Sequence, residues 1–373
     1  MFSARAFALA AMLSIAPTVT FAQNSATGPL RVAIAGLEHG HVDGFLSGIR
    51  NRDDVQVVGI SDPDPALFAK YQQKFNLPAS IPFFPTEAAM LQAVHPQAVL
   101  VYTSIAGHRP AIEVAAEHGV PVVMVEKPLT LSLDDALAIR NAANAHHTQV
   151  LVNYETTWYP SNRAVYHEVS DNHIGPIRRI IVNDGHQGPE EIGVPPEFLN
   201  ALTDPEQNGA GALYDFGCYG ADLATWLMRG KAPLTVTAIA HTNKRDRYPR
   251  VDDDATILLQ YPGAQAVIQA SWNWPFGRKD MEVYGATGYA IAADKNHLRM
   301  RQQYDSAEQT HDVTWLPDNE KDSMTYLAAV VNGKIVPHGD LSSLDTNIVV
   351  MQILDAARES VRTGKAIRLT ENP

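Results

Sequence analysis

A single cysteine, Cys218, stands among the 373 residues, so no disulfide can form within the chain. Basic residues are in short supply: 29 Lys and Arg face 41 Asp and Glu, a formal net charge of −12. That balance gives no general attraction to nucleic acid, and small neutral or polar ligands are left as the expected partners. Internal repeats and low-complexity stretches are missing as well, and no long hydrophobic run occurs beyond the N-terminus. At this length the chain can hold two domains with separate cores.

The N-terminus differs from the rest. Arg5 gives a positive start, Ala6 to Pro17 is mostly apolar, and Thr20 and Ala22 place small residues before a cut. Residues 1–22 read as a secretory signal peptide and not a membrane span, because the apolar run is too short and no stop-transfer charges follow. No Arg-Arg pair indicates a twin-arginine route. Residues 23–30 follow as a polar linker. The mature protein is therefore expected in the periplasm or secreted, free of the membrane once the signal is cut.

From Leu30 the pattern alternates strand and helix. Arg31–Ala35, Val55–Ile60, Ala98–Tyr102, Val122–Val125 and Val150–Val152 are apolar, β-branched runs separated by helical segments. Repeated β-α-β units imply an α/β fold with a doubly wound parallel sheet. After about Tyr154 strands follow one another, as in Leu234–Ala240, Ala255–Tyr261 and Ala264–Trp272. That order predicts a second, α+β domain with a mainly antiparallel sheet. One helix is expected to interrupt it over Gly209–Leu227, with Asp215, Tyr219 and Asp222 spaced by four and three on one face. The domain boundaries expected are 31–153, 154–340, and a C-terminal helix and strand over 341–373 that pack back on the body.

Two stretches carry chemistry. Val122–Val125 exits its strand into Glu126-Lys127-Pro128, charges placed where open parallel sheets bind ligands. An exposed ion pair at a strand end is the plain alternative. The first strand ends in Gly36-Leu37-Glu38-His39-Gly40-His41, in the position of the G-x-G-x-x-G turn that cradles a pyrophosphate. Gly36 fits; Glu38 and His41 stand where the other two glycines belong, and Gly40 and Gly44 partly restore the lost room. Asp62, closing strand two, can take ribose hydroxyls, which favours NAD, with NADP left open by nearby Lys70. His39 and His41 suggest a metal, but with no third ligand beside them none is expected; contact with cofactor or substrate, or capping of the helix, is the reading kept.

These residues resemble the Gfo/Idh/MocA family, the glucose-fructose oxidoreductase and inositol dehydrogenase group. The likeness rests on the turn after Val32, Asp62, Thr103 to His108, Glu126-Lys127-Pro128, Asp215 to Asp222, and Val283 to Gly288. It implies an N-terminal Rossmann domain, a C-terminal domain whose open sheet forms homo-oligomers, and hydride transfer between a sugar or polyol and a nicotinamide cofactor. By position it makes Lys127, Tyr219 and Asp215 catalytic and adds Asp222 to them in binding substrate. Gly36, Glu38, His39, Gly40, His41, Asp62, Thr103, His108 and Glu126 then line the cofactor.

A phenol ionises near pH 10, so Tyr219 needs a neighbouring ammonium to serve as a base, and Lys127 is expected to supply it. Outside the cytoplasm there is no free nicotinamide pool, so the cofactor is expected to be tightly held and recycled in place. Two alternatives stay open: an NAD-dependent glycoside hydrolase or lyase on the same scaffold, and a cofactor-free sugar-binding protein.

Overall fold

The computed structural model describes residues 28–369. The expected signal peptide and most of the linker lie outside the described residues. Six parallel strands make the first sheet: β1 (Leu30–Ala35), β2 (Val55–Ser61), β3 (Phe83–Phe84), β4 (Ala98–Val101), β5 (Val122–Glu126) and β6 (Gln149–Asn153). Their order is β3-β2-β1-β4-β5-β6. Helices α1 (His41–Gly48), α2 (Pro65–Phe75), α3 (Glu87–Val94), α4 (Ile105–Glu117) and α5 (Leu133–His146) make the crossovers. The order reverses between β1 and β4, which opens a crevice at the carboxyl ends of the strands.

Local chemistry sets the helix ends. Asp64 accepts from the Ala66 amide with Pro65 as first helical residue, and α2 stops at left-handed Asn76. Thr86 and Ser132 cap α3 and α5 in the same way. All five residues of β5 are buried. An apolar strand of this kind stays in register because moving it would expose side chains worth about 1.5–3 kcal/mol each.

The second part contains α6 (Pro160–Ser170), β7 (Ile177–Gly185), α7 (Pro196–Leu202), α8 (Pro205–Asn208), α9 (Ala212–Asp215) and α10 (Gly217–Leu227). Then come β8 (Thr235–His241), β9 (Asp254–Tyr261), β10 (Ala264–Ser271), β11 (Arg278–Gly285), β12 (Tyr289–Ala292), β13 (His297–Arg301) and β14 (Gln309–Asp312). The chain ends with α11 (Ser323–Val331), α12 (Leu344–Thr363) and β15 (Ile367–Arg368). Nine strands pair in the order β14-β13-β12-β11-β7-β10-β9-β8-β15. Only β7 and β10 run parallel; the other neighbours are antiparallel. The alternation of buried and open residues along β9 marks a sheet covered on one face.

The covering element is α10, buried at every residue, with α12 packed against it and β8. The expected single helix over Gly209–Leu227 is in fact two, because the run breaks at Phe216. Asp215 therefore closes one short helix, while Tyr219 and Asp222 belong to the next. Helix α11 buries Met324, Leu327 and Val330 in the core of the parallel sheet, so the chain returns to its first half before α12.

The approach of α10 to its sheet depends on Gly220, where a Cβ would stand 2.4 Å from Ile268 Cγ2. Ala is a better helix former than Gly by about 1 kcal/mol, but overpacking costs about 1–3 kcal/mol. Gly220→Ala should therefore lose stability, on the order of 1 kcal/mol, in urea unfolding. A variant as stable as the parent would show that Ile268 yields without cost.

Candidate active site

Lys127 leaves β5 at the crevice and is 3% exposed. Its ammonium donates to a carboxylate oxygen of Asp215 and to the Asp215 carbonyl at 3.1 Å. The other carboxylate oxygen accepts from Trp272 Nε1 at 2.9 Å. Burial works against both charges, but each ion offsets it for the other: Asp215 raises the Lys127 pKa, and Lys127 lowers that of Asp215. This is the one buried Lys–carboxylate pair among the described residues, and it joins the parallel sheet to the second half.

Tyr219 lies one turn beyond Asp215. Its ring packs edge-on to Tyr154 at 5.4 Å, with Lys127 Nζ 5.3 Å and Lys279 Nζ 4.7 Å from its centroid. The expectation that Lys127 lowers the phenol pKa is not met. Burial raises it well above 10, and the ammonium faces the ring while bound to Asp215. At neutral pH Tyr219 is a proton donor. Together with His41, His186 and Lys279, these three side chains line a cavity of about 260 Å³, walled by Phe198, Leu202 and Phe216.

His186 and Lys279 escaped the sequence reading. His186 follows β7, and its ring meets Phe216 at 4.9 Å. Lys279, on β11, forms an ion pair with Glu155. The one available signal was position, since both lie where strands of the second sheet reach the crevice. Asp222 does not line the cavity: it is fully buried, both carboxylate oxygens lack partners among the described residues, and burial holds its pKa far above the usual range. It is a neutral acid inside the protein. Cys218 is likewise fully buried, with its thiol pKa pushed up by burial.

The remaining predicted residues gather along the crevice. Gly36 has φ +82°, and a Cβ there would strike Thr103 at 2.6 Å, so the turn needs glycine. Glu38 points away from the turn and accepts from the Ser104 amide at 2.9 Å, at the start of α4. Asp62 accepts from the Leu37 and Asp64 amides, each at 2.8 Å, and so braces the turn. His108 bonds to the Pro128 carbonyl at 3.0 Å, and burial lowers its pKa to about 4, leaving it neutral.

The third ligand that sequence spacing did not supply for His39 and His41 is Glu126. The three offer ligand atoms within 4.8 Å of one another. They nonetheless satisfy each other: His41 Nδ1 meets Glu126 Oε2 at 2.8 Å, Asn153 Nδ2 meets Oε1 at 2.8 Å, and His39 Nδ1 accepts the His41 amide at 3.3 Å. Burial keeps His39 neutral, and adjacent Lys127 adds a charge unfavourable to a cation.

For a dinucleotide, the strand, turn, helix and Asp62 are in the right places, but the space is taken. Helix α7 lies over the turn, with the Phe198 ring 4.4 Å from that of His39 and a Cβ on Gly40 only 2.5 Å from Phe198 Cδ1. Glu197 reaches Lys70 at 2.8 Å and the Tyr71 hydroxyl at 3.1 Å, and the Ser104 hydroxyl donates to Gln207 at 2.8 Å. Asp62 is 5% exposed and His39 2%. The cavity of about 260 Å³ beside Lys127 reaches Gly40 and His41 but not Gly36, Asp62 or Thr103. In this arrangement the groove does not admit a dinucleotide.

Comparison with known proteins adds what geometry alone does not. The family described as "Oxidoreductase family, NAD-binding Rossmann fold" matches residues 30–154, and "GFO/IDH/MocA C-terminal domain" matches 162–291. Trans-1,2-dihydrobenzene-1,2-diol dehydrogenase of Mus musculus is 24% identical over 242 residues, covering 62% of this chain and 64% of that protein. D-apiose dehydrogenase of Paraburkholderia graminis is 24% identical over 260 residues, covering 69% and 64% respectively. The chain thus spans just under two thirds of these relatives. Two solved structures share the fold. Aldose-aldose oxidoreductase from Caulobacter crescentus, complexed with glycerol, has TM-score 0.76 and 21% identity over 91% of this chain and 100% of its own. An inositol dehydrogenase homolog from Azotobacter vinelandii, complexed with NAD+, has TM-score 0.77 and 18% identity over 92% and 98%.

A pH effect follows from Asp184, on β7 opposite Lys279. Both its oxygens lack partners among the described residues, and burial pushes its pKa up to about 8. An unfolded aspartate loses its proton near pH 4. Between pH 4 and 8 the unfolded chain is the form that releases this proton, so each rise in pH favours unfolding. Asp184→Asn should be more stable than the parent at pH 7–8, and the gap should close toward pH 4. Thermal unfolding across that range checks it; a destabilised variant at pH 8 contradicts it.

Proposed function

The chain belongs to the Gfo/Idh/MocA family of oxidoreductases, and on that premise we propose that it is an NAD(P)-dependent oxidoreductase of a sugar or sugar derivative. The observation that carries the reading is the meeting of Lys127, from the parallel sheet, with Asp215 and Tyr219, from the second half, at one cavity. The names of the relatives, dehydrogenases and oxidoreductases of apiose, aldoses and inositol, support a carbohydrate or polyol.

A bound dinucleotide would supply hydride chemistry; Gly36, Gly40 and Thr103 are the residues that would hold it once Phe198 leaves the turn. The protein's own part is proton and charge management. Lys127, kept charged by Asp215, is a fixed cation for a substrate oxygen. The Tyr219 hydroxyl has no hydrogen-bond partner among the described residues, and as a neutral phenol it can give a proton to an oxygen gaining negative charge. The resting pocket is thus set for reducing a carbonyl, and oxidation needs Tyr219 to lose its proton first. The N-terminal segment supports a periplasmic or secreted protein that retains its cofactor. Ile239 and Leu258, exposed on the outer face of the nine-stranded sheet, support association of two copies there.

The covered groove favours one other reading, a carbohydrate-binding protein without a cofactor. Mass spectrometry of the denatured protein, followed by titration with NAD+, NADH and NADPH, decides between them. The oxidoreductase reading expects a bound or bindable nucleotide, and the absence of both ends it. With nucleotide present, Tyr219→Phe and Lys127→Met should each lower turnover about 10²–10⁴-fold. Turnover within twofold of the parent for Tyr219→Phe would remove the phenol from the reaction.

A further inference from the structure

The family match calls for a dinucleotide where the chain has placed its own side chains. We propose that residues 194–208 form a lid on the cofactor groove, whose closed position and a bound dinucleotide exclude each other. The inference rests on the nucleotide reading above.

The segment has the construction of a hinged element. It runs between Gly193 at φ +71° and Gly209 at φ +84°, and a Cβ on Gly193 would meet nothing within 4 Å. Just before it, Glu191 is anchored to the second half by Lys244, Arg247 and Tyr248. Across the crevice its polar ties to the parallel-sheet half are few and lie at its two ends. Glu197 pairs with Lys70 and accepts from the Tyr71 hydroxyl, Gln207 accepts from Ser104 where α8 packs on α4, and the buried Phe198 ring lies on His39 between them. Lys70 is 44% exposed, so water competes for that ion pair.

Each contact takes a group that a dinucleotide would want. Phe198 covers Gly40, at the start of α1 where a pyrophosphate would lie. Glu197 stands at Lys70 on the ribose side, and Gln207 occupies Ser104 at the other end. Helix α7 also walls the cavity of Lys127 and Tyr219 through Phe198 and Leu202. One movement therefore opens both cofactor groove and substrate pocket. The apparent affinity for nucleotide is then the intrinsic affinity reduced by the fraction of molecules open.

The test is NADH binding by fluorescence, with hydrogen exchange of the 194–208 amides, in the full chain and in Phe198→Ala and Glu197→Gln. Removing a closing contact should tighten NADH binding, roughly three- to tenfold for Phe198→Ala and less for Glu197→Gln. NADH should speed exchange across 194–208 in the parent. Binding of equal strength in all three proteins, with exchange unchanged by NADH, overturns the lid while leaving the oxidoreductase reading intact. No NADH binding by any of the three, with 194–208 protected throughout, overturns both and makes the segment a permanent filling of the groove. Glu197→Gln is a partly exposed change and keeps the test valid if Phe198→Ala does not fold.

Discussion

The ion pair of Lys127 with Asp215 is the constraint to which the rest of the site is tied. Both residues are at least 95% buried, so neither charge is tolerable without the other. The strand exit carrying the lysine and the short helix carrying the aspartate must therefore stay together, and with them the two halves of the molecule. Trp272, just after β10, closes the remaining side of the carboxylate, which ties the nine-stranded sheet to the same point. Such a pair adds little net stability, because desolvation consumes most of the Coulomb energy. What it secures is register: a cation held at one place beside the Tyr219 ring, on the wall of a small cavity.

Around that fixed point the side chains divide by what burial does to them. Lys127 and Asp215 keep their charges because they have each other. His39, His108, Asp222 and Tyr219 are held neutral. The crevice is thus poorer in charge than its sequence suggests. Glu38 and Asp62, which looked like obstacles or ligands to a nucleotide, are occupied with the Ser104, Leu37 and Asp64 amides and act as braces. The segment over the turn meets the first half through the Glu197–Lys70 ion pair, hydrogen bonds of Glu197 with Tyr71 and of Gln207 with Ser104, and the Phe198 ring on His39 and His41.

Much of the architecture was legible from local pattern. The buried strands of the parallel sheet are short β-branched runs, and the alternation along β9 and β10 announces the second sheet. The approach of Asp215 and Tyr219 was legible too, from spacing, although the break at Phe216 was not. Such a break depends on tertiary contacts, here that of Lys127, whose ammonium takes the Asp215 carbonyl. His186 and Lys279 were invisible for a different reason: an isolated charge after a strand looks the same whether it faces water or a cavity.

The sequence by itself determined the periods, the turns and the place where Glu126 and Lys127 leave their strand, because each depends on residues only a few positions apart. Tertiary structure alone decided which groups meet. Asp215 arrives at Lys127 from 88 positions away, Glu126 completes the His39–His41 cluster from 85, and Glu197 crosses to Lys70 from 127. No periodicity encodes such meetings; they result from two cores and the crossovers between them. Whether a polar side chain is a ligand, a brace or a neutral filler is settled by that arrangement, since burial and partners set its charge.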